Sequence, residues 1–71
     1  MLKDLIGKRI RLLDMPDDPS FGKTLHAGDL GTVEDVNRVH MHPRPFTQVW
    51  VKFDNGAYLA LLLTVDSFEV V

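Results

Sequence analysis

The sequence predicts an all-β domain, a small and strongly bent antiparallel barrel of five short strands. Three observations carry that expectation. Apolar and polar residues alternate with period two in "GKRIRLL" and "TQVWVKF". Clusters of Pro, Gly, Asn and Asp separate the short apolar segments. Finally, helical periodicity is almost absent from the chain.

The elements follow in chain order. "GKRIRLL" points Ile10 and Leu12 to one face and Arg9 and Arg11 to the other, a first strand. "DMPDDPSFGKTLHAGD" is a long loop in which Pro16 and Pro19 exclude a helix. In "LGTVEDVNRV" the apolar residues Val33, Val36 and Val39 recur every three positions, too irregular for a flat strand and too short for a helix. A bulged, bent second strand accounts for the slipped alternation. "HMHPRPF" is a second loop, broken by Pro43 and Pro45.

The third and fourth strands form a hairpin around "DNG". A two-residue Asn55-Gly56 turn would set Phe53 against Tyr58 and Lys52 against Leu59, mixing the two faces. A three-residue loop, Asp54-Asn55-Gly56, with Gly56 in the left-handed conformation, instead pairs Phe53 with Ala57, Val51 with Leu59 and Val49 with Leu61. Every inward residue is then apolar, so this is the register the sequence specifies. Its outer face carries Trp50, Lys52 and Tyr58. "LTVDSFEVV" supplies a tight turn and the last strand.

At 71 residues the chain is expected to form a single domain over 1–71, near the lower limit for a self-sufficient core. With 45% hydrophobic and 25% charged residues it has the composition of a folded domain rather than a disordered one. Cysteine is absent, which excludes disulfides, thiolate nucleophiles and cysteine-based zinc sites. No apolar run approaches the roughly 20 residues of a membrane span, and "MLKDLIGKRI" lacks the apolar core of a signal peptide. A cytoplasmic location without membrane association is the expectation.

Eight basic and ten acidic residues give a net charge of −2, which argues against binding nucleic acid by phosphate neutralisation alone. The distribution is uneven. Lys3, Lys8, Arg9 and Arg11 oppose only Asp4 at the start, whereas Asp14, Asp17, Asp18, Asp29, Glu34 and Asp35 oppose only Lys23 in the stretch that follows.

"HAGDLGTVEDV" resembles the glycine-bearing strand of KOW-type SH3-like barrels, whose Gly-x-x-Gly-x-Val pattern corresponds here to Gly28, Gly31 and Val33. Across most of the chain, "GKRIRLLDM", "AGDLGTVEDV", "VKFDNGAYLALL" and "DSFEVV" resemble, in the same order, a small bacterial and phage domain-of-unknown-function family, family 4314. The resemblance implies a five-stranded SH3-like, KOW-like barrel in a bacterial or phage setting and brings no activity with it. Barrels of this kind serve unrelated partners.

Gly28, Gly31, Asn55 and Gly56 are expected to be structural turn residues. The two glycines Gly28 and Gly31 lack the Lys-Ser/Thr pair and following helix that a phosphate loop needs. His40 and His42 project to one side if extended, with His26 elsewhere, yet no carboxylate joins them at ligand spacing, so no metal and no cofactor are expected. Asp14, Asp17 and Asp18 lack the glycine and distal glutamate of a calcium loop. Alternation sends the adjacent Glu34 and Asp35 to opposite faces, and no nucleophile elbow occurs, so the chain is read as a non-enzyme.

The positive candidate is an outer face of Trp50, Lys52 and Tyr58, flanked by Arg9 or Arg11 from the first strand. Aromatics beside cations anchor a protein partner as interface hot spots or stack single-stranded bases. A non-catalytic protein-binding module is the leading reading. Its alternatives are a KOW-like RNA or ribosome contact and a phage-type inhibitor of a host protein. Against all three stands burial of Trp50 beneath one of the long loops, as part of a second small core. The surplus leucines of "LALLL" add the possibility of a homodimer.

Overall fold

A computed structural model describes residues 2–40 and 45–71. One turn of 3-10 helix, Leu2–Leu5, precedes five strands: β1 (Arg9–Asp14), β2 (Leu30–Val39), β3 (Phe46–Phe53), β4 (Tyr58–Leu62) and β5 (Ser67–Val70). They form one antiparallel sheet in the order β4-β3-β2-β1-β5. The all-β, five-stranded expectation holds. Among the described residues no ladder joins β4 to β5, so the sheet is not closed.

Strand alternation sets the core. Ile10 and Leu12 of β1, Val33 and Val36 of β2, Val49, Val51 and Phe53 of β3 and Leu61 of β4 are all buried on one face. The three-residue spacing of Val33 and Val36 is accommodated by a bulge between Val33 and Asp35 in the β2–β3 ladder. The Asp35 carboxylate accepts the Val36 N–H at 2.8 Å, so the kink is bonded locally. Because of the bulge, Glu34 and Asp35 are both exposed, instead of lying on opposite faces as simple alternation requires.

The hairpin adopts the three-residue loop. Val51 pairs with Leu59 and Val49 with Leu61, Phe53 N–H donates to the Ala57 carbonyl at 2.8 Å, and Gly56 has φ +96°. The Asn55 carboxamide bonds in two directions: its Oδ1 accepts from Ala57 N–H at 2.9 Å and its Nδ2 donates to the Thr24 carbonyl at 2.9 Å. That second bond ties the hairpin tip to the long first loop. Gly28 also fits its turn assignment, with φ +95° and its N–H donating to the Leu12 carbonyl at 2.7 Å.

Gly31 does not. It lies inside β2, paired with Ile10 on one side and Phe53 on the other, rather than in a turn. Its role is close approach: a Cβ there would sit 2.6 Å from Val51 Cγ1 and 3.0 Å from the Lys52 carbonyl oxygen. The first loop is likewise more structural than its composition suggests. Met15 and Leu25 are buried in the core, and three successive N–H groups, of Lys23, Thr24 and Leu25, converge on the Ser20 carbonyl. Truncating a side chain as buried as Leu25 costs about 2–5 kcal/mol, so this loop is anchored from inside.

Leu62 and Leu63 are half-buried, Leu63 against the core, and Val65 and Asp66 N–H groups both donate to the Leu62 carbonyl in the turn that follows. The surplus leucines are therefore partly covered by the chain itself. Gly31→Ala is expected to lower unfolding stability by about 1–3 kcal/mol, since the added methyl must displace Val51 or the β3 backbone. Urea denaturation followed by Trp50 fluorescence measures this, and a change below about 0.5 kcal/mol would show that the strand crossing relaxes freely.

Candidate binding face

With Val49, Val51 and Phe53 turned inward, Gln48, Trp50 and Lys52 must face outward from the middle of the sheet. Cross-strand pairing then lays out three rows. Arg9, Thr32, Lys52 and Tyr58 form one row across β1, β2, β3 and β4; Asp35, Trp50 and Ala60 form the next; Asn37, Gln48 and Leu62 the third. Trp50 and Tyr58 are diagonal neighbours, and their rings stack with centroids 5.4 Å apart and planes at 23°.

The indole is held in place. Trp50 Nε1 donates to Asn37 Oδ1 at 3.2 Å, which satisfies its polar atom and leaves the ring half-buried on the surface. Tyr58 remains 54% exposed. The first loop sends Met15 and Leu25 into the core on the opposite face, away from Trp50.

The cations of the sequence reading separate here. Arg9 makes a two-pronged bond to Asp54, at 2.8 and 2.7 Å, and also donates to Thr32 Oγ1 at 3.0 Å. This pair holds the Asp54 carboxyl below the usual carboxylate range and the Arg9 guanidinium above its usual value, in both cases chiefly through the side-chain hydrogen bond. Arg11 lies one row further from the aromatics, opposite Leu30 and Glu69, and bonds Glu69 at 2.6 Å. Lys3 is 3.7 Å from Asp35. Lys52 is exposed and lies opposite both Thr32 and Tyr58, with no ion pair among the described residues.

Beside the aromatic pair is a shallow groove of about 310 Å³, lined by Thr32, Glu34, Lys52, Phe53, Asp54 and Gly56. It presents one ammonium, two carboxylates and a hydroxyl, a polar recess suited to side chains of a partner. The described histidines, His26 and His40, are both exposed, and His42 lies outside the described residues. Among the described residues no three His, Asp or Glu side chains converge as metal ligands. No helix among them is long and apolar enough to cross a membrane.

Thr32, Asn37, Asp54 and Ala60 complete the face and were not singled out by the sequence. The spacing of Val33 and Val36 does signal them in part, because a bulge between the two turns Asp35 and Asn37 outward together. Comparison with known proteins finds no matching family model, no matching curated protein and no matching solved structure.

The Arg9–Asp54 pair has a defined pH signature. Asp54 binds its proton less readily in the folded state than in the unfolded chain, so its contribution to stability is present above about pH 4 and is lost as pH falls through the lowered value. Asp54→Asn is expected to melt below wild type at pH 7, with the two curves converging as pH falls below about 4. A gap in melting temperature that persists undiminished in acid would assign the effect to turn geometry instead of to charge.

Proposed function

We propose that the protein is a non-catalytic binding module, an SH3-like barrel of the bacterial or phage cytoplasm, that recognises a protein partner through the Trp50–Tyr58 face. The barrel reading is supported by a length argument. β4 and β5 are the outermost strands of a five-stranded sheet, about 19 Å apart if the sheet were flat. Only residues 63–66 connect them, and the turn at Leu62–Val65 keeps that connection to about 15 Å or less. This difference supports a curved sheet, with β4 and β5 remaining unpaired edges among the described residues.

The observation that carries the choice of partner is the state of the cations. Arg9, Arg11 and Lys3 are each matched by a carboxylate, and of the described cations without an ion pair (Lys8, Lys23, Arg38 and Lys52) only Lys52 lies in the strand rows that carry Trp50 and Tyr58. A strand of phosphates needs several unmatched cations along its path. A protein surface needs an aromatic anchor with a polar surround, which is the composition of this face.

Trp50 is the sole tryptophan, so its fluorescence reports on this face directly. Titration with single-stranded RNA is expected to leave the emission unchanged. Immobilised wild-type protein is expected to retain a bacterial protein at roughly 0.3 M salt, with retention falling about 30-fold in Trp50→Ala, the scale of an interface hot spot. RNA binding that weakens steeply with salt would assign the face to nucleic acid instead.

A further inference from the structure

β4 is an edge strand without the usual protections of one. Tyr58–Leu62 reads YLALL, with no charge and no proline, and its ladder with β3 runs without a bulge. β5, at the opposite edge, carries Glu69 in an ion pair with Arg11.

Backbone bonding divides the residues of β4 into two sets. Phe53 N–H donates to the Ala57 carbonyl at 2.8 Å and Leu63 N–H to the Thr47 carbonyl at 3.1 Å. In an antiparallel ladder the facing groups alternate, so Ala57, Leu59, Leu61 and Leu63 address β3 while Tyr58, Ala60 and Leu62 turn their N–H and C=O groups outward. Leu62 is already occupied: its N–H donates to Asp66 Oδ2 at 2.8 Å, and its carbonyl accepts from Val65 and Asp66 at 3.0 and 2.8 Å. The outward groups of Tyr58 and Ala60 have no hydrogen-bond partner among the described residues.

We propose that β4 pairs with β4 of a second copy of this chain, antiparallel about a two-fold axis at Leu59. Tyr58 then lies opposite Ala60 of the copy, and Ala60 opposite Tyr58 of the copy. Both are hydrogen-bonded pairs, so every free outward group of each strand is used. Moving the axis to Tyr58 or to Ala60 keeps only one such pair, because the second then falls on Gly56 in the hairpin loop or on the occupied Leu62.

What selects a copy is where the pairing ends. One step beyond, Leu62 faces Gly56 of the copy, whose N–H already donates to the Phe53 carbonyl at 3.0 Å within its own loop. Neither chain therefore brings a free N–H to the occupied end of the other. A foreign strand continuing past Ala60 would set its own N–H and C=O groups against Leu62, where both partners are taken.

The side chains match in the same register. Tyr58, 54% exposed, meets the small Ala60 of the copy, and Ala60 is opposite Trp50 in its own sheet, so the two Trp50–Tyr58 stacks join in one aromatic band. On the inner face the half-buried Leu59 meets Leu59 of the copy in a non-hydrogen-bonded pair, with Cα atoms about 4.5 Å apart. The pairing consumes the edge and leaves the outer face open, so it goes beyond the partner reading above and stands without it.

A two-residue ladder makes a small interface, hence a reversible dimer. Sedimentation equilibrium over roughly 0.01–1 mM is expected to show the average mass rising from one chain toward two. The chain has no cysteine, so Leu59→Cys places a single thiol at the axis, where facing residues of a non-hydrogen-bonded pair meet disulfide spacing. With oxidised glutathione it is expected to cross-link at least about tenfold faster than Thr64→Cys, an exposed position off the axis. In the cross-linked dimer the Tyr58 and Ala60 amides are expected to exchange at least about tenfold more slowly than in the reduced variant, while the Leu59 and Leu61 amides stay unchanged. Ala60→Lys, which sets an ammonium against Tyr58 of the copy, is expected to hold the chain at single mass throughout.

Single-chain mass of the wild type across the whole range, or cross-linking of Leu59→Cys no faster than of Thr64→Cys, would overturn the pairing. These two measurements decide even if Ala60→Lys does not fold. A dimer that persists in folded Ala60→Lys would assign self-association to another surface and overturn it equally. Tyr58 and Ala60 amides that slow only when a foreign protein is added would give the edge to a partner instead.

Discussion

The parity of β3 governs both the inside and the outside of this protein. Val49, Val51 and Phe53 fill the core from the one strand that is paired along both sides by longer stretches of sheet than any other. Once those three are inside, Trp50 and Lys52 have nowhere to go but out. The hairpin loop then decides which β4 residues join each face, because a two-residue turn would have exchanged Tyr58 and Leu59. The positive φ of Gly56 is thus a small local requirement with a large result: it brings the tyrosine ring beside the indole.

The bulge in β2 performs the matching adjustment on the other flank. Without the extra residue, Val33 and Val36 would fall on opposite faces, and one of them would be taken from the core. With it, both are buried and Asn37 arrives outward on the row next to Trp50, where its carboxamide accepts the indole N–H. Asp35 serves twice, bonding the Val36 N–H inside the kink and pairing with Lys3 on the surface. Core packing and surface layout are therefore outcomes of the same two irregularities in otherwise alternating strands.

How much of this is legible in the sequence follows from how local each cause is. The hairpin register is readable because its strands and its turn lie within a few residues of one another and only one pairing segregates the faces. The bulge is readable as a three-residue spacing, although the outward placement of both Glu34 and Asp35 is not, since alternation alone sends them apart. Gly31 looks like its neighbour Gly28 in sequence. It differs because Val51 and Phe53, some twenty residues later, fill the space a Cβ would need. Met15 and Leu25 read as isolated apolar residues in a polar loop, and nothing nearby reveals that the loop folds back into the core. The Arg9–Asp54 pair joins the first strand to the hairpin tip across 45 residues, a separation at which charge patterning carries no signal.

The two ends of the sheet show how so short a chain handles its edges. β5 bonds to β1 along its length, and the chain end continues the pairing through Val71 N–H to the Arg9 carbonyl. β4 is closed at one end by the reciprocal Leu62–Asp66 bonds and left open over Tyr58 and Ala60. An edge carboxylate placed beside a backbone N–H both satisfies that donor and denies it to another strand. Placing a desolvated carboxyl there is unfavourable at neutral pH, because burial and three neighbouring aspartates favour its protonated form. Ionisation of Asp66 thus works against its own hydrogen bond where it limits the edge, and the part of β4 that it does not cover is the part beside Trp50, Tyr58 and Lys52. The blocked end of this short strand is set by the turn that follows it, which brings the Asp66 carboxylate back onto the Leu62 N–H.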